Sequence, residues 1–148
     1  MPFRAAAPDD EPRGDDMTDV GFTHVALEVT NLAASIEFYA AFARMDVVHR
    51  REGVVWLGDG TRPFVIVLIE SERIGTALRP FAHLGVACAS HAEVDRLCEI
   101  ARREKRLLDG PTESGPPVGY WAFLTDPDGH TLEISYGQEV GTTVETAG

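Results

Sequence analysis

The chain has 148 residues, 44% hydrophobic and 25% charged, with 24 acidic against 13 basic side chains and a formal net charge of −11. This is the composition of a globular domain and excludes a wholly disordered or collagen-like chain. The longest apolar run, Phe64–Ile69, falls far short of the roughly 20 residues of a spanning helix. So acidic a surface repels phosphate backbones and anionic lipid, which sets nucleic acid and membrane aside and leaves a small molecule as partner; a bound cation would still admit an anionic one.

Residues 1–19 are rich in Pro, Asp, Glu and Ala and read as a disordered tail, with Met17 a candidate natural start. No apolar stretch of roughly 7–15 residues follows Arg4, so no secretory leader is expected and the cytoplasm is the default location. The folded domain is expected over 20–138. Phe22–Val29 alternates, with Val25, Leu27 and Val29 on one face and His24, Ala26 and Glu28 on the other, which predicts a strand. Asn31 supplies a helix N-cap, and apolar residues at helical spacing run from Leu32 to Arg44. Three strands are predicted next, Met45–Arg51, Val54–Leu57 and Phe64–Glu70, punctuated by Gly58-Asp59-Gly60 and Pro63.

After a linker, 71–80, the order recurs. Phe81–Cys88 is a predicted strand with His83 opposite Leu84, Val86 and Cys88. Ser90 and Glu93 form a capping box for a helix reaching about Lys105. Strands Arg106–Leu108, Tyr120–Leu124 and Thr131–Tyr136 follow, the last two joined by the turn Asp126–Gly129. The stretch from Gln138 to Gly148 reads as a loose end, with 139–148 a flexible tail. The chain is therefore an α+β protein of two βαβββ modules, about 22–70 and 81–136, each opening on a histidine. Cys88 and Cys98 are too far apart for a C-x-x-C motif and read as small apolar thiols.

Four stretches carry a resemblance: Thr23-His-Val-Ala-Leu27, Ser35-Ile-Glu-Phe-Tyr39, Ala82-His-Leu-Gly-Val86 and Phe123-Leu-Thr-Asp-Pro-Asp-Gly-His-Thr-Leu-Glu133. In this order and spacing the sequence resembles the vicinal oxygen chelate superfamily of glyoxalase I, extradiol dioxygenases, fosfomycin-resistance transferases and bleomycin-binding proteins. The resemblance implies a cupped mixed β-sheet and metal ligands on the first and last strands of the repeats: His24, His83 and Glu133. Strand alternation agrees, since all three lie opposite the apolar faces and are expected in one cavity. Two imidazoles and one carboxylate form the facial triad suited to Fe(II), with Mn(II), Co(II), Ni(II) or Zn(II) as alternatives.

Where glyoxalase I carries a fourth ligand, alignment of the repeat places Val67. Glu70, the only nearby carboxylate and the one weak candidate for a catalytic base, lies at the strand end in the opposite phase. The tyrosine of ring-cleaving dioxygenases is replaced by Phe123, and the threonine of fosfomycin transferases by Ala26. A metal-dependent enzyme acting on a small oxygen-chelating substrate, dioxygenase-like in its triad, is the leading expectation. A drug-binding protein without chemistry and a glyoxalase-like lyase are the alternatives. Trp56, Trp121 and Phe123 are expected to line the substrate pocket. His130 is expected in the turn at the cup rim, and His49 and His91 at the surface. A homodimer is expected, with the site open to sharing between subunits.

Overall fold

A computed structural model of the chain describes residues 19–148. The expected N-terminal tail lies outside the described residues up to position 18. The alternation at the start of the first module forms strand β1 (His24–Val29), which buries Leu27 and Val29 and exposes His24, Ala26 and Glu28. Asn31 then starts helix α1 (Leu32–Ala43), its side chain accepting the Ala34 N–H at 3.0 Å. Strands β2 (Asp46–Arg51), β3 (Val54–Gly58) and β4 (Val65–Glu70) complete the module. The second module runs β5 (Leu84–Ala87), α2 (His91–Arg103), β6 (Leu107–Glu113), β7 (Tyr120–Thr125) and β8 (Thr131–Tyr136), followed by a short helix α3 (Val140–Glu145).

Each module makes one four-stranded sheet, in the orders β1-β4-β3-β2 and β5-β8-β7-β6. The first strand of each pairs in parallel with the last, and the other pairings are antiparallel. The fold is thus the α+β arrangement of paired βαβββ modules.

The differences from expectation are local. β5 begins only at Leu84, because Phe81 and Ala82 lie in a turn closed by the Ala82 N–H on the Arg79 carbonyl at 2.9 Å and His83 follows it outside the strand pairing. The capping box at α2 is half-formed. Ser90 accepts the Glu93 N–H, but the Glu93 carboxylate is drawn away to Arg96 at 2.7 Å and Arg44 at 3.3 Å. The expected loose end contains α3, which buries none of its residues.

The apolar undersides of both sheets and the buried faces of both helices form one core, with Phe38, Tyr39 and Phe42 from α1 and Val94, Leu97 and Cys98 from α2. Each such fully buried side chain contributes about 1.5–3 kcal/mol relative to exposure. Packing on this side leaves the opposite face of each sheet bare, and the functional side chains stand there. The modules are joined by the turn Asp126–His130, which needs Gly129 at φ 90°. Asp126 accepts the buried Tyr39 hydroxyl at 2.9 Å, and Asp128 accepts from the Thr30 hydroxyl at 2.6 Å. His130, expected at the rim, is only 2% exposed. Its Nε2 donates to the Glu28 carbonyl at 2.8 Å and its Nδ1 accepts the Leu78 N–H at 3.0 Å, which fixes its tautomer and ties β1 to the linker.

Candidate metal centre

Alternation in β8 sends Leu132 and Ile134 into the core and Glu133 to the bare face, where it is 8% exposed. Glu133 stands opposite Gly85 of β5 and Phe123 of β7. The turn before β5 brings His83 beside it: His83 Nε2 lies 2.9 Å from Glu133 Oε2. His83 Nδ1 lies 2.7 Å from the Pro80 carbonyl, which can only accept, so Nδ1 carries a hydrogen. With its hydrogen committed at Nδ1, His83 turns Nε2 toward the carboxylate of Glu133. A histidine whose Nδ1–H is anchored on a carbonyl and whose Nε2 faces a buried carboxylate forms an ion pair when protonated, and the same two groups have the chemistry to hold a divalent metal. Glu133 Oε1 accepts from the Gln138 side chain.

Of the three aromatic residues expected in a pocket, Trp56 lines the cavity over the first sheet, while Trp121 and Phe123 line neither that cavity nor the one between the modules. The Phe123 ring centroid lies 5.0 Å from that of His83 and 4.8 Å from that of Trp121. Trp121 Nε1 donates to Ser114 Oγ at 2.9 Å. On the first module, His24 Nδ1 meets the Thr23 hydroxyl at 2.9 Å. His24 lines a cavity of about 690 Å³ with Trp56, Val65, Val67 and Arg62.

Strand register aligns the modules residue by residue. Ala26 faces Val67, which faces Trp56; Gly85 faces Glu133, which faces Phe123. Val67 is therefore the counterpart of Glu133, and no carboxylate stands at that corner. Glu70 points to the helix side, where its Oε2 accepts the Leu32 N–H at 3.3 Å, so it does not face the His24 cavity. Within one chain His83 and Glu133 come together, whereas His24 stands over the first sheet. Among the described residues no three His, Cys, Asp or Glu side chains gather as a metal site.

Other reactive groups are held inert. Burial pushes the Cys98 thiol up to about 11 and raises that of Cys88, so neither is a thiolate near neutrality. A hydrogen bond to Asp95, with some burial, pushes the Tyr120 phenol up to about 12, on the side of β7 away from Phe123. Burial and Asp126 raise Tyr39 further still. Three contributors escaped the sequence pattern: Gln138, expected in a loose end; Pro80, which acts only through its carbonyl; and Arg62. A polar side chain five residues beyond Glu133 was the only available sign of Gln138.

The model of the Glyoxalase/Bleomycin resistance protein/Dioxygenase superfamily matches residues 21–134. The chain belongs to this superfamily. Among curated relatives, Uncharacterized protein PA2024 of Pseudomonas aeruginosa is 37% identical over 126 residues, 80% of this chain and 90% of the relative. Lactoylglutathione lyase GLX1 of Arabidopsis thaliana is 30% identical over 129 residues, 76% of this chain but 43% of that protein, so the chain spans less than half of the plant protein. Among solved structures, the trypanothione-dependent glyoxalase I of Leishmania major is 25% identical with a TM-score of 0.62, covering 85% of this chain and 93% of that one. FosX of Listeria monocytogenes, a fosfomycin resistance protein solved with Mn(II) and sulfate, aligns at 17% identity and a TM-score of 0.64 over 79% of this chain and 90% of its own, a likeness of fold. No helix among the described residues is long and apolar enough to cross a membrane.

Proposed function

We propose that this superfamily member is a metal-dependent enzyme acting on a small substrate with two neighbouring oxygens, such as a catecholate, an enolate or an α-hydroxy carbonyl. His24, His83 and Glu133 hold the ion, Fe(II) first and Mn(II), Co(II), Ni(II) or Zn(II) otherwise. The observation that carries this reading is the His83–Glu133 pair, oriented by Pro80 and partly buried. His24 faces a different cavity from His83, so in this reading it is supplied by a second copy in a homodimer. Phe22 at 93% exposure and the fully exposed Phe81 stand two residues before the two histidines, apolar surface that such a copy would cover.

When bound, the ion supplies Lewis acidity to the chelated oxygens and, as Fe(II), a site for O₂. The chain's own residues do the rest. Pro80 fixes the ring of His83, and Gln138 holds the second oxygen of Glu133. Trp56, Trp121 and Phe123 pack on a flat substrate. Val67 keeps the fourth corner apolar, which favours a dioxygenase-like reaction with a three-residue ligand set. Identity with the plant lyase favours a second reading, a glyoxalase-like lyase, for which the carboxylate missing at Val67 is the obstacle.

The test is metal content of protein purified without chelator, with assays on catechol and on a glutathione hemithioacetal. Near one ion per chain is expected, lost in His24→Ala and in Glu133→Gln. Mixing those two variants restores metal if the ligands come from two copies, because one site of the mixed dimer is intact. No metal in the wild-type protein leaves a drug-binding role instead. Loss without restoration on mixing places all three ligands in one chain.

A further inference from the structure

Arg62 borders two cavities at once, the one over the first sheet with His24 and Trp56 and the one between the modules with His83. Its position is set by strand pairing. The Val65 N–H donates to the Thr23 carbonyl at 3.0 Å and Val65 pairs with His24, so the loop from β3 to β4 runs past the start of β1. Within that loop Asp59 is already engaged, accepting from the Thr61 N–H at 2.9 Å and its hydroxyl at 2.6 Å. Arg62 Nε reaches only the Thr61 hydroxyl, at 3.4 Å, and among the described residues no carboxylate lies within ion-pair distance of its guanidinium. The other arginine on the inter-module cavity, Arg44, is tied to Glu93.

Among the described residues that line the cavity over the first sheet, Arg62 is the one arginine or lysine, facing a wall of Val48, Trp56, Val65, Val67 and Ile69 with Asp19 at the edge. In a chain of net charge −11, an arginine that makes no direct ion pair, its loop neighbour Asp59 being hydrogen-bonded to Thr61 instead, is a point of attraction for an anion beside an apolar, tryptophan-bearing cavity. Its planar donor fork matches a carboxylate in two parallel hydrogen bonds. A single positive charge, with Asp19 on the same cavity, suits a monoanion better than a phosphate dianion.

We infer that Arg62 is a specificity-determining residue and that the substrate is a small carboxylate, its apolar or aromatic body on Trp56 and its carboxylate on Arg62. The vicinal-oxygen end rests on the metal reading above; the carboxylate end does not. The test measures binding by titration calorimetry with the otherwise wild-type protein and two probes, 3,4-dihydroxybenzoate and 3,4-dihydroxybenzamide. They share a catechol and an electron-withdrawing group and differ in charge. The benzoate is expected to bind about tenfold more tightly than the benzamide. Adding Arg62→Met abolishes that preference and Arg62→Lys keeps most of it. Equal affinities, a preference that survives Arg62→Met, or no binding of either probe overturns the inference. A chelator weakens both probes alike if the metal reading holds. If neither probe weakens, the metal reading fails while the Arg62 preference stands.

Discussion

Where β8 carries Glu133, β4 carries Val67; where β7 sets Phe123 against that position, β3 sets Trp56. The helices differ in the same way, because Tyr39 and Cys98 hold equivalent buried places eight residues into α1 and α2. Tyr39 reaches across to Asp126 in the other module, while the Cys98 thiol is simply buried. The two modules thus keep one strand plan and one opening histidine, and divide the remaining work. The second carries Glu133 beside His83, and the first carries an apolar wall with Arg62 at its rim.

The sharpest way to break this division is Glu133→Gln, which removes the only anion at the centre. Titration calorimetry with Mn(II) is expected to show affinity lower by about a hundredfold, with Glu70→Gln, on the helix side, within about twofold of wild type. Tyr39→Phe tests the unequal helices. It strands a buried carboxylate oxygen and is expected to cost about 2 kcal/mol in urea unfolding. Val67→Glu erases the difference between the sheets. It should bind metal about tenfold more tightly, and its melting temperature should rise further on adding metal than that of wild type. Gln138→Ala should weaken metal binding by about threefold, since Gln138 is half-buried and touches only one oxygen of Glu133.

The smallest effect concerns pH. A hydrogen bond from Arg96, helped by Arg44, holds the Glu93 carboxyl down to about 2. A depressed carboxyl stabilises the fold above its ordinary range near 4.5 and loses that contribution as pH falls toward 2. Solvent screening keeps it under about 1 kcal/mol. Melting curves of wild type and Glu93→Gln should therefore converge between pH 4.5 and 2 and separate above.

Much of the fold was legible because period-2 and period-3.6 patterns alternate twice in the chain. β8 falls where its alternation predicts, and the phase of Glu70 is as read. His83 lies outside the strand in which its alternation placed it, and the segment before β5 brings it beside Glu133. What was not legible is tertiary. Nothing local tells that His130 is buried between modules, since its partners, Glu28 and Leu78, are distant in sequence and take part only through their backbone. Likewise α3 and Gln138 sit in a segment with no apolar periodicity. That His24 faces a separate cavity from His83 depends on how the modules dock, which no pattern within either module encodes.

The parallel closure of each sheet also has a consequence for how the chain becomes native. β1 has no partner until β4 follows about forty residues later, and β5 waits for β8 across a similar interval. Loop closure over such lengths precedes any reward from pairing, so the chain should fold more slowly than a helical bundle of its size. During synthesis the first module closes its sheet once Glu70 has emerged, and α1 packs on β2, β3 and β4 of the same module, while the Phe38 ring still lacks the Arg106 guanidinium that lies over it. The Tyr39–Asp126 contact forms only after the turn near residue 126 has left the ribosome. Until then the Tyr39 hydroxyl lacks its partner in the second module.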